Sequence, residues 1–406
     1  MTATLSYPSN AGRATAPERQ ELLERARSLG PIIREHAVQA EQERRLAPVV
    51  IAGLREAGLF RLLLPRSLGG LELDPATCAL VVEEVAGFDS AAGWALQAGN
   101  EGAWWAARLP TEGAEEIYRD DPSAVVSAAF HPPQQAAEAA GGYRVNGRAP
   151  LASNIHDAGW LFLTALVMDG DHPKMAGGVP QVIAVYLRAA EVKIVDTWYS
   201  LGMRGTDSND VVMNDVFVPR PRTCPVVPEF EPGTHYRGPL YRIPGISAGG
   251  FLIAPVSLAV ARNAIGEVKD LAQKKTPLGF NRTLRERPAV QAAIARAEAM
   301  LRAARLFFYD TLESAWAQAV RGERFTLEHK ADLLLAGVHA ATTAAKVTDL
   351  MHRIAGTTGI YTRSPLERHF RDAQTLRHHG FLSENRFETV GQVYLGVEPE
   401  CPLVAF

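Results

Sequence analysis

Between Trp198 and Pro219 the chain reads WYSLGMRGTDSNDVVMNDVFVP, a polar turn that runs straight into alternating apolar positions. Gly202 and Gly205 let the backbone turn tightly and leave N–H groups free, Thr206, Ser208 and Asn209 add neutral polar groups, and Arg204 adds one fixed positive charge. Such a turn suits an anionic group on a ligand; the same residues also suit a surface loop before an edge strand. In the half that follows, Val212, Asn214, Val216 and Val218 share one face and Val211, Met213, Asp215 and Phe217 the other, until Pro219 ends the ladder. No GxGxxG follows a strand, so no nicotinamide dinucleotide site is encoded. Cys78, Cys224 and Cys401 lie far apart without CxxC or CxH spacing, which speaks against a metal centre or a disulfide framework and makes the cytoplasm the expected compartment.

The elements that must position this turn follow from composition. A length of 406 residues exceeds one ordinary core and implies two or three domains. Hydrophobic residues at 47% can fill them, and a net charge of −3 leaves no basic footprint for nucleic acid. No run approaches about 18 uninterrupted apolar residues, so no membrane span is expected. Residues 1–16 carry no apolar signal core and read as a disordered tail. Residues 17–120 read as an α-helical domain, with Leu22, Leu23, Ala26, Leu29, Ile32 and Ile33 on one stripe and PRSLGGLELD (Pro65 to Asp74) as a turn. In residues 121–232 the pattern becomes β: AVVSAAF, GGYRVNGR, WLFLTALV, VIAVYL, VKIVDTWY and DVFVP are short runs between turn residues, as in a β-barrel or sandwich. Residues 233–406, after a Pro- and Gly-rich link from Pro225 to Gly250, hold three long amphipathic helices whose apolar faces predict a bundle shared between subunits.

This α, β, α order, together with GMRGTDSNDVVMNDVFVP, the PRSLGGLELD turn and AGTTGIYTRSPLERHFRDA, resembles the acyl-CoA dehydrogenase superfamily across nearly the whole chain. The resemblance implies an α+β multidomain fold with an N-terminal α-helical domain, a middle β-barrel domain and a C-terminal four-helix bundle, with the flavin at a subunit boundary of a homotetramer.

Two departures bear on the chemistry. A dehydrogenase of this family needs a Glu as base a few residues after its Arg-Asp-Ala motif. Aligning Arg371-Asp372-Ala373 on that motif puts Gly380 on the Glu and His379 on the preceding Tyr, so the carboxylate is missing. The family's T-E-P-x-x-G-S-D string is missing too, replaced by SAAFHPPQQAAEAAGGYRVNGR. Both departures resemble the flavin-dependent monooxygenases of the same fold, the oxygenase components of two-component systems such as 4-hydroxyphenylacetate hydroxylase and dibenzothiophene monooxygenase. That likeness implies reduced flavin (FADH2 or FMNH2) from a separate flavin reductase, O2 as co-substrate, a C4a-hydroperoxide, and an aromatic or other electron-rich small molecule as substrate. The alternative is an acyl-CoA dehydrogenase or oxidase with its base on another helix.

Within the resemblance, Ser153, in the turn Leu151-Ala152-Ser153-Asn154 after GGYRVNGR, falls where a hydroxyl meets flavin N5. His379 is the candidate acid or base, since an ordinary imidazole titrates near neutrality. His131 falls on an expected strand-end loop facing the flavin's C4a side, and His156 is expected to be a structural, hydrogen-bonded group. Aromatic hydroxylases of this group carry a His in the segment matching Gly93 to Pro110; here Asn100 and Glu101 are its strongly polar residues, and Trp94, Trp104 and Trp105 are core or one walls an aromatic pocket. Arg204, Thr206, Lys275 and Arg363 are the candidates for holding the flavin and its phosphate.

Overall fold

The computed structural model describes residues 15–245, 249–401 and 404, so the stretch expected to form the tail lies almost wholly outside the described residues. Helices α1 (Ala16–Ser28), α2 (Gly30–Glu43), α3 (Pro48–Glu56), α4 (Pro75–Ala86), α5 (Ser90–Trp105) and α6 (Thr111–Tyr118) come first. Their starts are written in side chains: Asp74 accepts the Thr77 N–H at 2.8 Å to begin α4, and Asp89 accepts the Ala92 N–H at 3.0 Å to begin α5. In the PRSLGG turn a Cβ on Gly70 would lie 1.9 Å from the Leu64 carbonyl oxygen, so only glycine fits. Helix α5 is buried nearly all round, and its two ends decide where the site lies.

The strands are β1 (Val126–Ala139), β2 (Gly142–Ala152), β3 (Trp160–Asp169), β4 (His172–Pro173), β5 (Met175–Ala176), β6 (Val179–Pro180), β7 (Val182–Arg188), β8 (Lys193–Val195), β9 (Asn209–Pro219) and β10 (Thr223–Pro225). The main sheet runs β10-β7-β3-β1-β2-β9-β8, with β1 and β3 parallel and β4 on the edge of β3. It curls around Ala129, Val145, Leu161, Leu163, Val185, Val211 and Met213, a barrel-like core left open between β10 and β8. Alternation turns the intervening Trp160, Phe162, Ala184 and Tyr186 outward into the helical core. Two expectations are corrected. His131, expected on a strand-end loop, lies within β1, which continues to Ala139 because a register shift against β3 between Ala129 and Gln134 accommodates the prolines. Of VKIVDTWY only Lys193–Val195 forms a strand.

Helices α7 (Gly250–Lys274), α8 (Pro288–Arg321), α9 (Leu327–Ala355) and α10 (Pro365–Leu376) form the C-terminal bundle, and α11 (Arg386–Tyr394) packs on α9. Helix α7 reaches a mean hydropathy of 1.4 over 18 residues, but 78% of that window is buried against α4, α5, α9 and α10, as befits a central core helix.

Candidate active site

Trp94 on α5 joins the sheet to the bundle. Its Nε1–H donates to Ser153 Oγ at 2.9 Å in the turn after β2. Ser153 Oγ lies 2.7 Å from Ser208 Oγ, Ser208 Oγ lies 2.7 Å from Thr206 Oγ1, and the Thr206 hydroxyl donates to the Met203 carbonyl at 2.9 Å. Each hydroxyl owns one proton, so the directions follow. Thr206 spends its proton on Met203, Ser208 must donate to Thr206, and Ser153 must donate to Ser208. Ser153 Oγ, already accepting from Trp94, keeps one lone pair and no free proton. Its backbone is fixed as well, since Ser127 Oγ donates to the Ser153 carbonyl at 2.6 Å.

The turn that carries Thr206 and Ser208 is clamped by α10. Asp372 Oδ1 accepts the Met203 N–H and Oδ2 accepts the Ser90 hydroxyl, each at 2.6 Å. Arg371 donates to the Leu201 carbonyl at 2.8 Å and pairs with Glu41 at 2.7 Å. A Cβ on Gly202 would sit 2.4 Å from the Arg371 backbone, so the close approach needs glycine. Burial pushes the Asp372 carboxyl up to about 6, against the lowering pull of Arg368 and its two hydrogen bonds.

His379 lies in the turn beyond α10. Its ring meets Trp94 edge-on at 5.4 Å between centroids and Phe381 at 5.5 Å. Burial among these rings lowers its pKa to about 4, which departs from the near-neutral imidazole expected. Nδ1 accepts the Phe381 N–H at 3.3 Å, so the neutral ring carries its proton on Nε2 as a donor. His378, next in line, is exposed. Trp94 therefore brings Ser153 and His379 to one place, and Gly380 leaves no carboxylate beside them.

The remaining candidates scatter. His131 is exposed on β1, whereas its neighbour Phe130 turns inward against Trp105 at 5.3 Å, Phe162 at 4.9 Å and Phe381 at 6.0 Å. His156 donates its Nδ1–H to the Asp207 carboxylate, 2.8 Å away, as a structural group. Thr206 is 1% exposed and uses its hydroxyl internally. Arg204 and Arg363 both line a cleft of about 1120 Å³ with Arg34, Arg44, Arg262, Arg368 and Arg371, an arginine-rich surface partly offset by Glu41, Glu267, Asp270 and Glu367. Lys275 is not among its lining residues; its ammonium donates to the Ala355 carbonyl at 2.6 Å and to Thr358 at 2.7 Å, closing the end of α9.

In the Gly93 to Pro110 segment the two polar residues part ways. Asn100 is fully used, donating to Leu59 and Leu96 carbonyls and accepting the Leu62 N–H, all at 2.9 Å. Glu101 is 8% exposed and forms no ion pair among the described residues. Phe130 and Phe381 escaped the sequence reading, and Trp94 was named there only as core or a pocket wall alongside Trp104 and Trp105, because an aromatic at helical or strand spacing signals core.

Residues 16–120 match the acyl-CoA dehydrogenase N-terminal domain and residues 251–384 the acyl-CoA dehydrogenase C-terminal domain. Indole-3-acetate monooxygenase of Pseudomonas putida is 31% identical over 369 residues, covering 88% of this chain and 90% of that protein. The oxygenase component of the FADH2-dependent resorcinol hydroxylase of Rhizobium sp. is 25% identical, covering 93% and 95% of the two chains. Among solved structures, 3-HSA hydroxylase from Rhodococcus sp. RHA1 superposes with a TM-score of 0.87 at 26% identity, over 94% of this chain and 98% of that one.

Proposed function

The chain belongs to the acyl-CoA dehydrogenase family, and we propose that it works there as the oxygenase component of a two-component flavin-dependent monooxygenase that hydroxylates an aromatic small molecule. Reduced flavin comes from a separate reductase and, when bound, supplies the two electrons with which O2 is divided between a hydroxyl on the substrate and water. The observation that carries this reading is the Ser153–Trp94–His379 constellation, uncharged throughout and without a carboxylate at Gly380.

The residues fit a flavin by the chemistry of their groups. A flat neutral ring needs aromatic walls and neutral polar contacts, which Trp94, Ser153 and the His379 ring supply, while a phosphate needs positive charge, which the cleft holding Arg204 and Arg363 supplies. Thr206 supports Ser153 through Ser208, and Lys275 holds the turn next to Arg363. Ser153 Oγ offers its remaining lone pair to an N–H, a donor that reduced flavin has at N5 and oxidised flavin lacks. The Nε2–H of His379 offers a hydrogen bond without placing a positive charge in the pocket. His131 lies on the outer face, so its role would be at the rim. Large apolar side chains left exposed, among them Leu278, Phe280, Leu306, Ile360 and Leu395, support a homotetramer. Three free cysteines are in keeping with a reducing compartment such as the cytoplasm.

The test is reconstitution. Purified protein with a separate NADH:flavin reductase, flavin and O2 should convert a panel of simple aromatics to hydroxylated products. Steady NADH oxidation by the protein alone, or desaturation of an acyl thioester, would point to another chemistry.

A further inference from the structure

We propose that Glu101 anchors the substrate of this site, its carboxyl receiving a hydrogen bond from a ring-borne N–H or hydroxyl of a flat aromatic molecule that lies along the Trp94–Trp105 face of α5. The inference rests on the monooxygenase reading above and adds to it the group that selects the substrate.

Helical geometry places the group. At about 100° per residue, Trp94, Gln97, Glu101 and Trp105 fall within about 80° of arc on α5. The stripe begins at Trp94, against Ser153 and His379, and ends at Trp105, against Phe130 at 5.3 Å and Phe162 at 5.6 Å. Trp104, off its edge, turns to Phe251 of α7 at 5.1 Å, so Glu101 faces the seam between sheet and bundle. Trp105 also lines, with Trp104 and Arg108, an outer cleft of about 650 Å³.

The stripe holds polar atoms that the protein itself does not satisfy. Gln97 Oε1 and Trp105 Nε1 are buried without a hydrogen-bond partner, in residues 2% and 4% exposed. A buried carboxyl without a counter-charge is costly, and having two unpartnered polar atoms on the same helix face adds to that cost unless a ligand completes them. Burial pushes the Glu101 carboxyl up to about 7; the Trp105 N–H offsets part of that without closing a well-aligned bond. Several polar groups on the surrounding elements are engaged elsewhere. Glu83 on α4 is occupied by Arg262 and Arg305, Arg108 lies over the Trp105 ring at 5.2 Å, Tyr186 donates to the Gly102 carbonyl, and His379 beyond Trp94 is neutral. A ring N–H or hydroxyl matches an acceptor walled by indole and phenyl faces; an anionic group at that edge would be repelled.

The test uses binding of matched probes to the flavin-loaded protein by equilibrium dialysis: indole against 1-methylindole, and phenol against anisole. The wild type should prefer the donor-bearing member of at least one pair by about 10-fold, as a charge-assisted hydrogen bond gives. Which pair shows it distinguishes a ring N–H from a hydroxyl. Glu101→Gln should keep part of the preference and Glu101→Leu abolish it, with 1-methylindole and anisole bound as before, which shows the pocket intact. No preference in either pair, no binding of any probe, or a Glu101→Leu loss shared equally by both members of a pair overturns the proposal. Hydroxylation without discrimination would remove only the anchor, and discrimination without hydroxylation only the oxygenase reading.

Discussion

Removing the Ser153 hydroxyl tests the proton ordering of the site most sharply. Ser153→Ala leaves the Trp94 Nε1–H without its acceptor, while Ser208 and Thr206 keep their donor bonds. An orphaned, partly buried donor costs about 1–3 kcal/mol, which denaturant unfolding should register as a lower midpoint. The lone pair available to a flavin N–H is lost as well. One neutral hydrogen bond of about 0.5–1.5 kcal/mol corresponds to about 2–10-fold weaker binding of reduced flavin, with oxidised flavin little changed. Ser208→Ala does the opposite: it removes the acceptor that captures the Ser153 proton, so the hydroxyl can turn and donate, and oxidised flavin should gain relative to reduced. Anaerobic titrations of both variants with each form of the flavin give the two ratios. Equal weakening of both forms by Ser153→Ala, or no change of preference in Ser208→Ala, would refute the assigned directions.

His379→Ala should raise H2O2 release and lower product per flavin oxidised by about 10²–10⁴ if its Nε2–H serves the oxygen transfer, whereas exposed His378→Ala should be near neutral, as coupled assays with one reductase will show. Because folding lowers the His379 pKa from 6.5 to about 4, the unfolded chain binds more protons between those values, so this group's contribution is present above pH 6.5 and lost as pH falls toward 4. His379→Gln should flatten that acid sensitivity in unfolding curves; an unchanged slope would contradict the shift. Light scattering at micromolar concentration should give four chains per particle, and a monomer would refute the tetramer.

Much of this site was legible before the structure. Through the family resemblance, the GGYRVNGR hairpin and the turn after it pointed to Ser153, and the Arg371-Asp372-Ala373 motif pointed to His379. What joins them was not legible: Trp94 contacts residues 59 positions away in Ser153 and the distant His379, and sequence carries no sign of which face of a buried helix opens on a pocket. His131 was expected on a strand-end loop facing the flavin, yet the register shift after Ala129 keeps it within β1 and Phe130 takes the inward position. Lys275 was expected, from the family resemblance, to hold the flavin phosphate, but its bonds to the Ala355 carbonyl and Thr358 depend on how α7 meets the end of α9. His379 shows the same limit in its electrostatics, since its lowered pKa comes from burial against Trp94 of α5 and the neighbouring Phe381.

The central claim is that this fold inserts oxygen and does not withdraw hydrogen. Turnover of a responsive aromatic under ¹⁸O2, with the reductase and NADH, should yield a product heavier than its substrate by one ¹⁸O atom, detected by mass spectrometry. A product that carries oxygen only from water, or one lighter by two hydrogens, would contradict it.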